Sequence, residues 1–472
     1  MDGSANRDGL VTFQSGGMEY RAVVVRMARH SLVFEVYSPF VILQKSESLN
    51  DFKLMVNDRP VYVGKAVVKS VIQMPSMTVC EVALEDGWLD VDFFGSTDWS
   101  TTLSQDFQRF VEAVQQNYRV SPEFKVAVGD MQSALIELRR WLEQVEVGIR
   151  AQPDGSRGEV ERKIVQQLRG PVTPLIAELF ERFNQVCARV PEELRATHSH
   201  YAKRQLHPLV LCAPFMYRTF EKPLGFAGDY EMVNMMARDP DEGGSVFAKL
   251  LNTFFLDTPP VVAHRNRLDY MDKVLTEETS RAVRDRRTAR VFNLGCGPAI
   301  EIQRFIANSE LSQHADFTLL DFNDETVAYT EQKLRDAKSR HQRGTNVQVI
   351  KKSVVQLLKE SSKPVSKLGA GTFDIVYCAG LFDYLPKPVC EKLMNVFYDL
   401  AAPGGLVLAT NVDVSNPSRN WMEFVVDWHL EYRTGKDMAA LRPSRAPADG
   451  CRVESDDSGV NVFVKVRKPV HV

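Results

Sequence analysis

The sequence predicts an α/β protein, in which a doubly wound, mostly parallel sheet with an antiparallel edge hairpin follows a small β-barrel and a helical region. Three observations predict it. From about residue 285 the short apolar runs VFNLGC, FTLLDF, VQVIKK, FDIVYC and GLVLATNV alternate with helical segments, the arrangement that builds a parallel sheet. The last two runs, CRVES and VNVFVKVRK, are joined by DDSG, a turn tight enough to make them antiparallel neighbours. Upstream, short β-forming runs broken by turn residues give way near residue 98 to helical spacing.

A chain of 472 residues exceeds what one hydrophobic core usually supports. The changes of pattern place boundaries at 1–97 for the barrel, 98–200 for a helical linker region, 201–284 for a helical cap and 285–472 for the α/β domain. No apolar run approaches the roughly 18 residues of a membrane span, so no transmembrane segment is expected. The start, MDGSANRDGLVTF, has no basic end followed by an apolar core, and the expected compartment is the cytoplasm. Seven cysteines without a CxxC pair read as reduced thiols. A formal charge of -3 supplies no field for nucleic acid. The basic run RAVRDRRTAR, 281–290, reads as a solvated helix end complementing the dipole, with attraction to an anionic membrane or carrier as the other reading.

The barrel is justified by EYRAVVVRMA, SLVFEVYS, PVYVGKAVVKSVIQM and MTVCEVALE, within which VYVGKAVVKSV is read as a hairpin. The order of these segments resembles a PilZ-like domain. That family holds a cyclic dinucleotide with an RxxxR segment and a (D/N)xSxxG motif. Here Ser31 matches the serine, but Arg29 stands at the acidic position, Phe34 at the glycine, and Arg26 and Arg29 are wrongly spaced. The resemblance therefore implies a degenerate scaffold or interaction barrel more than a nucleotide sensor.

FQRFVEAVQQNY, VGDMQSALIELRRWLEQVEVGI and VERKIVQQL carry apolar residues at i, i+3 and i+4, and AQPDGSRG between the last two reads as a turn or linker. These helices either pack as core or pair two chains in a homodimer. His198, His200 and His207 lack an acidic or cysteine partner at ligand spacing, so no metal is expected.

Chemistry enters at VFNLGCGPAIEI. In an open α/β sheet the ligand lies at the carboxyl ends of the strands near the switch in strand order, and the first strand-to-helix turn is the usual cradle. Gly295 and Gly297 permit the turn and a close backbone approach, whereas the third glycine of a dinucleotide fingerprint would fall at Ile300. An adenosine cofactor without phosphates fits better, and S-adenosylmethionine is the common one. Asp321, ending the second strand, is placed for the ribose diol, Phe322 for the adenine ring and Asn323 for a further hydrogen bond. Ser353 and Val354 follow the third strand on the adenine side, and the fourth ends at Cys378 before AGLFDYLP. Asp321 alone also reads as a helix cap for DETVAYTEQKL. Cys296 has no nearby histidine and reads as a small residue filling the turn.

Together these features resemble the class I S-adenosylmethionine-dependent methyltransferases, with a Rossmann-like seven-stranded sheet, over about residues 285–472. NLGCGPAIEI, LLDFNDETVAYT, GLFDYLP and DWHLEYR are similar to motifs of the bacterial group that makes 3-hydroxypalmitic acid methyl ester, a cell-density signal. KPLGFAGDYEMVN and AHRNR look like its substrate cap. The resemblance implies a lipophilic carboxylic acid substrate, free or carrier-bound. It implies that Asn293, Gly295, Gly297, Asp321 and Ala379 hold the cofactor, with Asp383 and Tyr384 beside the reacting centre.

Arg265, Arg267 and Arg433 are candidates for gripping a carboxylate, of substrate or of cofactor, because guanidinium binds it bidentately. Tyr230 and Phe382 are further substrate candidates. SNPSRNWMEFVVDWHL reads as a helix from the Asn416 cap and Pro417, with Trp421, Phe424, Val425 and Trp428 on one face, as core or as an acyl-chain lining. Other readings are a hydroxyl or amine acceptor and a catalytically silent regulatory protein.

Overall fold

The computed structural model describes residues 9–15, 18–28, 30–37, 41–56, 59–74, 77–85, 108, 111, 120–361 and 369–470. Arg29, most of the helix expected at FQRFVEAVQQNY and the barrel boundary at 97 lie outside them. The chain divides into two compact units: residues up to 227 with Asp241–Phe255 and Ser418–His429, and Gly228–Pro240 with Leu256–Pro417 and Leu430–Val472.

In the first unit six antiparallel strands close a barrel: β1 (Gly9–Ser15), β2 (Met18–Ala28), β3 (Ser31–Val36), β4 (Ser48–Val56), β5 (Arg59–Gln73) and β6 (Thr78–Leu84), in the order β1-β2-β3-β6-β5-β4. Alternate residues point inward, so Val11, Phe13, Leu32, Phe34, Phe52 and Leu54 fill the interior. The hairpin expected within 61–71 is instead part of the single strand β5, which pairs with β4 on one side and β6 on the other. Gly64 has no second turn residue beside it, and the β-branched run after it favours extension. Phe34, at the position where the cyclic-dinucleotide motif has glycine, is a core residue 5.2 Å from the Phe13 ring.

Among the described residues six α-helices complete this unit: α1 (Pro122–Arg150), α2 (Asp154–Cys187), α3 (Arg195–Val210), α4 (Pro214–Glu221), α6 (Val246–Leu256), whose last residue falls in the second unit, and α12 (Arg419–Val425). The linker expected at 151–158 shrinks to the three residues 151–153, because Pro153 takes the N-cap position and the residues after it begin α2. α12 begins at Arg419 after Ser418, two residues later than expected from Asn416, and ends at Val425. Asp427 then takes a left-handed φ of 49°, so Trp428 lies off the helix. Trp421 is packed by Phe180 at 4.1 Å and Phe183 at 5.5 Å, and Phe424 by Phe124 at 6.1 Å, so this aromatic stripe is core. His198 and His207 bond to backbone atoms, at Ser121 and Leu194 and at Val425 respectively.

Asp427 is buried with both carboxylate oxygens on Lys203 Nζ at 2.7 and 2.6 Å. Burial pushes its carboxyl up, but Lys203 and Lys222 overcome this and hold it at about 2, from 3.8. A depressed acid stabilises the fold above its unfolded pKa, and this stability disappears as pH falls from about 4 to 2. Urea unfolding across that window should show a loss of about 2–3 kcal/mol, largely absent in Asp427→Asn.

The second unit is built on a seven-stranded sheet: β7 (Ala289–Leu294), β8 (Ala315–Asp321), β9 (Asn346–Lys351), β10 (Phe373–Cys378), β11 (Ala401–Val412), β12 (Cys451–Ser455) and β13 (Asn461–Arg467), in the order β12-β13-β11-β10-β7-β8-β9. β7 to β11 run parallel, β13 is antiparallel to β11, and β12 pairs with β13 at the edge. The helices are α5 (Tyr230–Ala237), α7 (Pro259–Arg284), α8 (Ile300–Asn308), α9 (Asp324–His341), α10 (Val354–Ser361), α11 (Lys387–Leu400) and α13 (Gly435–Ala440). Strand order reverses between β7 and β10, which opens the crevice at their carboxyl ends. The basic run at the end of α7 is partly committed: Arg281 donates to the Gly404 carbonyl and Arg287 pairs with Asp374 at 2.8 Å.

Candidate active site

β7 ends at Leu294, and the chain turns through Gly295 at φ 70° and Gly297 at φ 50° before α8 begins. A Cβ on Gly297 would meet no atom within 4 Å, so the backbone is open there to a ligand. The loop is held from behind: the Gly295 and Cys296 N–H groups donate to the Leu320 carbonyl, and Thr330 Oγ1 donates to the Gly297 carbonyl at 2.6 Å. Burial, with Asp321 and Glu301 nearby, pushes the Cys296 thiol far up, which keeps it unreactive.

Asp321 closes β8 beside this loop. Its carboxylate accepts from Gly297 N and Asn323 N, each at 3.1 Å. Burial raises its pKa against those N–H groups and that of Phe322. The cap of α9 is Asn323, whose Oδ1 accepts from Thr326 N at 2.9 Å, so Asp321 is not the helix cap. Phe322 is partly exposed beside it. Ser353 exchanges hydrogen bonds with Gln356 at the start of α10, where Val354 is buried. Asn293 is buried, its Oδ1 without a partner.

A second group gathers after β10. Arg267, on α7, is buried and donates from Nη2 to His264 Nδ1 at 2.5 Å. Its Nη1 lies 4.0 Å from Asp383 Oδ2. The guanidinium sits flat enough on the Ala379–Gly380 turn that a Cβ on Gly380 would fall 3.0 Å from Nη1. Asp383 Oδ1 accepts from Val412 N at 2.7 Å, and burial pushes its carboxyl up to about 6 against Arg267, that N–H and Arg433. Tyr384 reaches Gly228, where a Cβ would fall 2.5 Å from its hydroxyl. Tyr230 opens α5 after the Asp229 cap, donates to Glu325 at 2.7 Å and lies 4.4 Å from the Tyr329 ring.

The structure thus brings Asn293, Gly295, Gly297 and Asp321 to one loop, and Arg267, Ala379 and Asp383 to another. Three predicted residues stand elsewhere. Arg433 has its guanidinium committed to the Phe382 and Leu385 carbonyls and to Asn411 Oδ1, at 2.7, 2.6 and 2.6 Å. Phe382 is fully buried against Phe397 of α11. Arg265 is tied to the Leu256 carbonyl at 2.8 Å. The reading of the sequence missed Glu301, whose buried carboxylate accepts from Tyr377 at 2.7 Å. Its spacing of four from Phe305 puts it on the buried face of α8, and that was the available signal.

With this geometry in place, comparison with known proteins gives the class. Residues 292–407 match the family described as methyltransferase domain. The second unit carries this methyltransferase domain, and the matched residues include the glycine loop, Asp321 and the turn after β10. No curated relative matches the chain.

Among similar solved structures is a possible exported protein from Bordetella parapertussis, 15% identical, covering 68% of this chain and 100% of that one, with a TM-score of 0.38. Another is an O-methyltransferase family protein from Burkholderia thailandensis, 14% identical, covering 60% and 74%, with a TM-score of 0.33. A third is magnesium protoporphyrin IX methyltransferase from Synechocystis PCC 6803, 12% identical, covering 44% and 84%, with a TM-score of 0.31. At TM-scores this low none of them bears on the reading of the site.

Proposed function

We propose that the protein methylates the carboxylate of a 3-hydroxy fatty acid or a similar lipophilic acid, giving a methyl ester of the cell-density-signal type. The observation that carries this reading is Arg267, a buried guanidinium on the turn after β10, oriented by His264 and Asp383. When bound, the cofactor supplies an electrophilic methyl group on sulfur. Asn293, Gly295, Gly297 and Asp321 would hold it, with Phe322, Asn323, Ser353, Val354 and Ala379 lining the adenosine side. The partnerless Asn293 Oδ1 and the open face of Gly297 fit such a group.

A fatty carboxylate titrates near about 4 to 5 by analogy with Glu, so at neutral pH it needs no general base. The protein's task is to align one oxygen and exclude water. Arg267 grips the carboxylate, Asp383 holds Arg267 in place, and Tyr384 and Tyr230 shape the entrance. Purified protein with labelled cofactor and a panel of free or carrier-bound 3-hydroxy acids should yield organic-extractable, alkali-labile label. Label confined to water-soluble or base-stable products rejects ester formation.

A second reading is favoured by the Asp383 carboxyl, whose pKa of about 6 suits a base for a hydroxyl or amine acceptor. Asp383→Asn separates the two. It keeps an acceptor for Val412 N–H, so ester formation should fall less than about tenfold. Loss of a general base would instead cost about 10²- to 10⁴-fold. The barrel we read as a degenerate PilZ-like scaffold, since Phe34 fills its core where a nucleotide-binding turn needs glycine. The cytoplasm and a homodimer paired through α1 and α2 are the matching expectations.

A further inference from the structure

Beneath the glycine loop three buried polar side chains are joined. Tyr377, on β10, stands beside Asn293 in the parallel register with β7. Its hydroxyl donates to Glu301 Oε1 at 2.7 Å, and Asn293 Nδ2 reaches the same oxygen at 3.4 Å. A carboxylate only accepts, so the amide must present its NH₂ to Glu301, and the planar group turns Oδ1 to the opposite side. That oxygen is buried, and no group satisfies it. Burial raises the Glu301 pKa against the Tyr377 hydroxyl, and among the described residues no cation lies within ion-pair distance of it; Arg267 and Arg304 act on it only at longer range. A carboxylate buried without an ion-pair partner costs the fold several kcal/mol, so it persists where a cation arrives.

We infer that Glu301 is a positioning residue for a cationic ligand of the glycine loop, acting through Asn293. Its charge fixes the Asn293 amide, so that Oδ1 accepts from the cofactor's ammonium group, and its field favours the sulfonium form over the neutral thioether product. The inference rests on the reading that this loop holds S-adenosylmethionine, and it adds a group that recognises the ligand's charge to those that recognise its adenosine.

The test is binding, measured by calorimetry with S-adenosylmethionine, S-adenosylhomocysteine and methylthioadenosine, the last a neutral thioether nucleoside without the amino acid. Glu301→Gln retains an acceptor for the Tyr377 hydroxyl and removes only the charge. Affinity for S-adenosylmethionine should fall about 10- to 100-fold, that for S-adenosylhomocysteine by less, and that for methylthioadenosine by no more than about twofold. Asn293→Asp in the Glu301→Gln background returns a carboxylate to the loop and should restore the order of affinities. An equal loss for all three ligands, or no loss, overturns the inference while leaving the cofactor reading intact. A wild-type protein that binds none of the three removes both.

Discussion

Asp321→Ala is expected to weaken S-adenosylhomocysteine binding by about 100- to 1000-fold. On the proposed reading the Asp321 carboxylate accepts from both ribose hydroxyls, and two charge-assisted hydrogen bonds of about 1.5–2 kcal/mol each would disappear with it. At 1.4 kcal/mol per factor of ten this is two to three orders of magnitude. Stability should change far less. Truncation strips Gly297 N and Asn323 N of their acceptor, but it also removes a carboxylate that burial already disfavours. Calorimetric titration beside thermal unfolding separates the two effects. A folded variant that still binds within tenfold of wild type would show that Asp321 does not hold the ribose.

Arg433→Met has the largest expected effect on stability, about 3–5 kcal/mol. The buried guanidinium satisfies the Phe382 and Leu385 carbonyls and Asn411 Oδ1 together, and methionine would leave all three without a donor. These bonds clamp the turn that carries Asp383 and Tyr384. Glu431 N adds a further bond, to the Asp383 carbonyl at 2.6 Å. A melting temperature lower by about 10 °C should accompany a loss of turnover. Unchanged melting with weakened substrate binding would place Arg433 at the substrate after all.

The glycine turn and the acid ending the next strand were legible because the chemistry there is local. Gly295 follows β7 directly, Gly297 stands two residues on and Asp321 ends β8, and a strand end followed by a glycine turn fixes backbone direction within a few residues. The sheet and its antiparallel hairpin were legible for the same reason. Arg433 was not, because nothing in its neighbours says whether a guanidinium faces a ligand or three carbonyls brought by β11 and the turn after β10. The surroundings of Trp421 and Phe424 were not legible for a related reason. An amphipathic stripe announces a buried face without naming what buries it, and Phe180, Phe183 and Phe124 are between about 240 and 300 positions away in sequence. Glu301 was hidden inside the most conspicuous motif of the chain.

The sequence by itself determined the α/β class, the order of strands along the chain, the N-terminal β-rich segment and the glycine loop with its following acid, since periodicity and turn chemistry are properties of neighbouring residues. Only the tertiary structure decided that six strands close into a barrel with β5 unbroken, that Asp427 is paired with Lys203, and that Asn293 and Tyr377 converge on Glu301. Those outcomes depend on which distant groups burial brings into contact, and a buried charge or amide takes its role from whatever partner the fold supplies.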